Sequence, residues 1–147
     1  MKASSKIVIS ALIVLGMFAG LASAETPDAC DPADYGGDWS CATPFPLPNN
    51  QYAFVDGVLT SNPVDSVDMW KSNDPNVGDT LLVYLDYDAF DNGLAAELFD
   101  GNRYLMQRVK KYDSVENDRT LNAKPAYVKV SGFPGNYAYT FALSRNV

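Results

Sequence analysis

Asn136-Tyr137-Ala138-Tyr139-Thr140-Phe141-Ala142-Leu143-Ser144 is the stretch that decides the fold. Tyr137, Tyr139, Phe141 and Leu143 alternate with Asn136, Ala138, Thr140 and Ala142. A period of two puts the large apolar side chains on one face of a strand. Thr80-Leu81-Leu82-Val83-Tyr84-Leu85-Asp86-Tyr87 repeats the pattern, with Leu81, Val83 and Leu85 sharing a face. These two stripes are the expected core.

The rest of the chain, read outward from these two, is short β-like runs between turn signals. Residues 51–60 hold Tyr52, Phe54 and Val55, with Gly57 read as a turn or bulge. Residues 66–70 set Val67 and Met69 opposite Asp68 and Trp70. Leu94, Ala96 and Leu98 share a side in 94–99. Asp100-Gly101-Asn102 makes a hairpin turn, and 104–109 returns from it. Residues 110–124 are polar and read as a long loop with at most one weak strand, and 126–131 aligns Val128 with Val130. Seven or eight such strands predict an all-β, antiparallel, jelly-roll-like β-sandwich.

The first residues read as a secretory signal. Lys2 and Lys6 precede the apolar stretch 7–22, and Ala22-Ser23-Ala24 is a small-residue cleavage site. That stretch is shorter than the roughly 20 residues a membrane span needs. The expected organisation is a signal over 1–24, an irregular segment over 25–50 and a sandwich domain over 51–147. Cleavage after Ala24 leaves 123 residues, enough for one core. The product is secreted or at the cell surface, with no membrane contact once the signal is gone.

Removing Lys2 and Lys6 takes the net charge from −7 to −9. Residues 25–100 carry 15 acids and one base, whereas 101–147 carry eight bases and three acids. This balance argues against nucleic acid, which calls for a basic surface. The later bases are expected to pair with the earlier acids. Fifteen of the 18 acids are Asp, which favours turns over helices. Cys30 and Cys41 are the only cysteines, and in an exported chain they are expected to form a disulfide that pins the irregular segment.

The chain contains no histidine, so no Ser-His-Asp, Cys-His or HExxH arrangement is possible. A 123-residue sandwich has little room for the deep cleft that carboxylate-pair hydrolysis needs. The expectation is a protein that is not an enzyme. Asp86, Asp88 and Asp91, followed by Asn92-Gly93, gather hard oxygens on a strand-end loop as Ca²⁺ requires. Phe90 and Asp91 stand where an EF-hand needs a ligand and a glycine, and the same residues also make an ordinary turn. Calcium is the one cofactor the sequence suggests. Trp70, Tyr84, Phe99 and Tyr127 fall opposite the apolar stripes, and Tyr87 lies at a strand end. These five rings are the candidate binding surface.

From Asp65 onward the order of motifs resembles the bacterial and archaeal pre-peptidase C-terminal domain, a β-sandwich appended to secreted proteases. The resemblance is carried by Asp65-Ser66-Val67-Asp68-Met69-Trp70, then Val77-Gly78-Asp79-Thr80-Leu81-Leu82-Val83. Ala95-Ala96-Glu97-Leu98-Phe99-Asp100-Gly101, Ala126-Tyr127-Val128-Lys129-Val130-Ser131-Gly132 and the final alternating strand complete it. It spans about residues 51–144. Ala95 stands near the place of a family Asp, and no protease domain is present in the sequence. The resemblance implies a non-catalytic accessory module that binds extracellular protein or polysaccharide. The alternative is a structural subunit of a surface layer or filament that self-assembles through exposed strand edges.

Overall fold

Strands with one apolar face hide it by stacking sheet on sheet. The computed structural model does this over the residues it describes, 39–61, 64–87, 93–111, 119–132 and 135–147. Its strands are β1 (Thr43–Pro44), β2 (Gln51–Ser61), β3 (Val64–Asp65), β4 (Val67–Ser72) and β5 (Thr80–Tyr87). They continue with β6 (Ala95–Phe99), β7 (Leu105–Lys110), β8 (Arg119–Thr120), β9 (Ala126–Ser131) and β10 (Tyr137–Arg145). The first sheet is ordered β3-β2-β10-β5-β8 and the second β1-β4-β9-β6-β7. Every pairing is antiparallel except β1 with β4. The fold is an all-β sandwich, as the alternating pattern predicts. Among the described residues no helix is long and apolar enough to cross a membrane.

The two expected stripes form the inner face of the first sheet. Leu81, Val83, Leu85, Tyr139, Phe141 and Leu143 are buried, and Tyr137 packs partly buried against them. The second sheet answers with Trp70, Ala96, Leu98, Val109, Val128 and Val130. The Trp70 and Phe45 rings meet Phe141 edge-on at 6.0 and 5.5 Å. Burying each such large side chain stabilises the fold by about 1.5–3 kcal/mol relative to exposure.

Four readings change. Gly57 is neither turn nor bulge: β2 runs unbroken through it, opposite Tyr139. A Cβ there would lie 2.1 Å from the Tyr139 hydroxyl oxygen, so only glycine lets the ring lie across the strand. Trp70 turns inward instead of outward and is 1% exposed. Its strand misled because Val67 and Met69 on the other face are buried as well, which removes the contrast that period-two reading needs. Tyr87 is 6% exposed and joins the core, because its parity with Leu85 holds to the strand end. In the segment before β2, Phe45 and Leu47 are buried core residues. That segment is tied down by Phe45 N–H to Lys71 O (2.9 Å) and Leu47 N–H to Asp74 Oδ2 (2.7 Å). The signal stretch and Cys30 lie outside the described residues.

The charge halves meet as expected. Arg145 pairs with Asp79 at 2.7 Å, Lys111 with Asp86 at 3.4 Å and Arg108 with Glu97 at 3.6 Å. The Asp100 turn also forms: Asp100 Oδ1 accepts the N–H groups of Asn102 (2.9 Å) and Tyr104 (3.0 Å).

Candidate functional site

Since Tyr139, Phe141 and Leu143 point inward, the alternate residues of β10 point to the outer face of the first sheet. Those residues are Ala138, Thr140, Ala142 and Ser144, all small. The flanking strands carry larger groups at the matching register. Ala142 lies between Phe54 and Tyr84, and Ser144 between Tyr52 and Leu82. Thr140 lies between Asp56 and Asp86, and Ala138 is opposite Val58. The result is a groove along β10, with a floor of small side chains and aromatic and carboxylate walls.

Adjacent strands lie 4.7–4.9 Å apart, so β2 and β5 stand about 9.5 Å apart across the floor. From Ala138 to Ala142 the open floor is about 14 Å long, and Ser144 beyond it is buried. Tyr52, Phe54, Leu82 and Tyr84 are half-buried, so each side chain keeps part of its surface open to solvent. Tyr52 and Phe54 stack along one wall, centroids 6.3 Å apart and 28° between planes. At the carboxylate end the groove deepens into a cavity of about 190 Å³, lined by Asp56, Val58, Asp86, Ala138 and Thr140 among others. There Thr140 Oγ1 donates to Asp56 Oδ1 at 2.5 Å. Lys111 Nζ stands 3.4 Å from Asp86 Oδ1 and 5.0 Å from the Tyr87 ring centroid. Both carboxylates keep oxygens that can accept hydrogen bonds from a bound molecule.

Of the five rings picked out from sequence, Tyr84 stands on a wall of this groove, and Tyr87, though largely buried, lines the cavity at its carboxylate end. Phe99 and Tyr127 are neighbours on the outer face of the second sheet. Trp39 packs edge-on against them, at 5.0 and 5.1 Å, and the Arg103 guanidinium lies 5.2 Å from the Trp39 ring. Those half-buried rings pack against one another on the second sheet, apart from the groove. Trp70 is core.

Tyr52 and Phe54 were missed as site residues. Their signal was present: they alternate with Ala53, Val55 and Leu59, the buried side of β2. Within the calcium trio, Asp86 is met by Lys111, while Asp88 and Asp91 lie outside the described residues. Among the described residues no three His, Cys, Asp or Glu side chains are grouped to hold a metal. Glu97 sits between Lys129 and Arg108 on neighbouring strands, on the second sheet. The sequence matches no protein-family model and no curated protein.

Proposed function

We propose that this is a non-catalytic, secreted binding module whose ligand is an extracellular polysaccharide lying along β10. The carrying observation is the floor of Ala138, Thr140 and Ala142 between walls holding Phe54 and Tyr84, with Tyr52 stacked beside Phe54. A sugar ring is flat, with C–H groups on its faces and hydroxyls at its rim. Partly exposed aromatic rings offer apolar surface to the faces, while Asp56, Asp86 and the tyrosine hydroxyls offer acceptors to the rim. The N-terminal apolar stretch supports export, and the motif order supports kinship with pre-peptidase C-terminal modules. A Cys30–Cys41 disulfide and a calcium ion at Asp86, Asp88 and Asp91 belong to the same proposal. Intact mass with and without reductant tests the first, and melts in calcium against magnesium test the second.

Assembly through strand edges fits less well, because several edge strands are short and the β5 edge is capped. β1, β3 and β8 are two residues long. The edge of β5 is met by Gln107 Oε1 at Val83 N–H (3.0 Å) and by Lys111 Nζ at Tyr87 O. Short and capped edges are poor templates for polymers.

The test is titration calorimetry against soluble neutral and acidic polysaccharides. At least one should bind. Phe54→Ala and Tyr84→Ala should each weaken it about tenfold, about 1.4 kcal/mol, with little change in melting. Wild-type affinity in both variants, or no binding across the series, overturns the proposal.

A further inference from the structure

The two outer faces of the sandwich are unlike. On the first sheet the outward residues keep open surface: Phe54, Tyr84 and Ala142 are half-buried and Ala138 is exposed. On the second sheet Asp68 and Trp70 point inward, so Val67, Met69 and Lys71 of β4 point outward. With their neighbours on β9 and β6 they form three rows across that face. Lys71 stands with Tyr127 and Phe99, Met69 with Lys129 and Glu97, and Val67 with Ser131 and Ala95. Val67, Met69 and Ala95 are 7%, 1% and 1% exposed, although none belongs to the core between the sheets. This outer face is covered.

Among the described residues, the one-turn 3₁₀ helix Trp39–Cys41 covers one end of it. Trp39 meets Phe99 and Tyr127, and Ser40 O accepts from Lys71 Nζ at 3.4 Å. The row of Val67 and Ala95 lies four residues farther along the strands, about 13 Å away, beyond the reach of that turn.

Charge and reach decide what continues the cover. Along the outer face of β4, β6, β7 and β9 the bases are Lys71, Arg108, Lys110 and Lys129, and the acid is Glu97. Glu97 meets Arg108 at 3.6 Å, so the face as a whole is basic, on a chain of net charge −7. Residues 25–38, which lead into Trp39, carry Glu25, Asp28, Asp31, Asp34 and Asp38 and no base. Extended, they reach up to about 46 Å, more than the length of the face. The acidic stretch 112–118 is tied at both ends. Lys111 Nζ bonds Tyr87 O and Arg119 is opposite Leu81, so its ends lie about 20 Å apart along β5. That distance, down the seam where Gln107 of β7 takes the Val83 N–H, uses most of its reach.

We infer that residues 25–38 dock as an acidic strap over the outer face of the second sheet. Their carboxylates face Lys129 and Lys71, and their alanine, proline and tyrosine side chains supply apolar cover for Val67, Met69 and Ala95. A second copy of this face is a poor occupant, because two basic faces repel. The strap closes the second sheet and leaves the first as the open face, whatever ligand that face takes.

The first test is cross-linking of the full chain with a carbodiimide, which joins a carboxylate directly to a lysine amine in contact with it, followed by peptide mass analysis. Lys129 should be joined to Asp31 or Asp34 within one chain. The second is oxidation by dilute peroxide, which converts accessible methionine to the sulfoxide. Met106, half-buried, should oxidise while Met69 resists. With Asp31→Lys, Asp34→Lys and Asp38→Lys combined, Met69 should oxidise at least about tenfold faster and Met106 at its former rate. The inference is overturned if no link joins Lys129 to residues 25–38, if such links occur only between two copies, or if Lys129 is joined only to acids within 88–118. Unchanged protection of Met69 in the triple variant overturns it as well.

Discussion

The Tyr139 hydroxyl donates to Asp68 Oδ2 across the interior, tying the central strand of the first sheet to β4 of the second. The same oxygen accepts from Trp70 Nε1 at 3.0 Å. Three buried polar groups, two of them 71 residues apart in sequence, are thus linked through the Tyr139 hydroxyl. Buried polar groups cost little when paired and much when orphaned.

Tyr139→Phe removes the group at the centre of this chain and keeps the ring. It strands the Trp70 N–H and deprives Asp68 of its donor, so the expected loss is about 2–3 kcal/mol in urea melts. Gly57→Ala tests the same contact from the other side. Strand propensity alone favours the alanine, but its Cβ would overlap the Tyr139 ring, and overpacking of this kind costs about 1–3 kcal/mol. A neutral or stabilising Gly57→Ala would show that the ring does not lie there.

The β10 and β5 stripes set the next expectation. Val83→Asp buries a carboxylate between the sheets, a cost of several kcal/mol that rivals the whole stability of a small domain. Thr140→Asp adds a third carboxylate beside Asp56 and Asp86 on the open face, where like charges cost less than about 1 kcal/mol and salt screens them. Val83→Asp should therefore be largely unfolded at 25 °C by circular dichroism. Thr140→Asp should be folded and should gain melting temperature with added salt. The reverse ranking would place the strands out of register by one residue.

What sequence could reveal follows from these contrasts. β10 was legible because one face is large and apolar and the other is small or polar, and β5 because Leu81, Val83 and Leu85 recur at a period of two with Thr80 and Asp86 on the other face. β4 was not, because Val67 and Met69 are buried on one face and Trp70 and Asp68 on the other. Asp68 looked like the solvent side, and only its distant partner Tyr139 explains its place inside. The groove was illegible for a different reason. It exists only when Phe54, Ala142 and Tyr84 come into one row, and that register joins three strands that lie far apart in the chain. Single-strand periodicity carries no information about such rows.

Asp79 anchors the end of β10 and should govern acid stability. The Asn146 side chain, the Asn76 N–H and the Arg145 guanidinium hold its carboxyl below the ordinary value, against the opposing effect of burial. A folded-state pKa below the unfolded one gives stability that is complete above about pH 4 and is lost as pH falls through the folded value. Wild-type stability should drop between about pH 4 and pH 2, and Asp79→Asn should flatten that drop while lowering stability at pH 7. Urea melts at pH 7, 4 and 2 check it. Equal pH slopes in the two proteins would show that Asp79 titrates alike folded and unfolded.

Gln107 closes the seam from the opposite sheet, and its amide oxygen is the part that matters. It accepts the Val83 N–H at a buried site on the β5 edge. Gln107→Leu keeps the bulk and removes the acceptor, leaving a buried N–H unsatisfied at about 1–3 kcal/mol. Gln107→Glu keeps an oxygen in reach and should recover part of that loss. Hydrogen exchange separates this from a general loosening of the core. The Val83 amide should exchange faster in Gln107→Leu by more than the change in global stability accounts for, whereas the β10 amides should follow global stability alone. A variant whose β5 edge is uncovered should also associate at high concentration, because an open strand edge is a template. If Gln107→Leu is as stable as wild type, with slow exchange at Val83, the seam is held by apolar packing and not by this hydrogen bond.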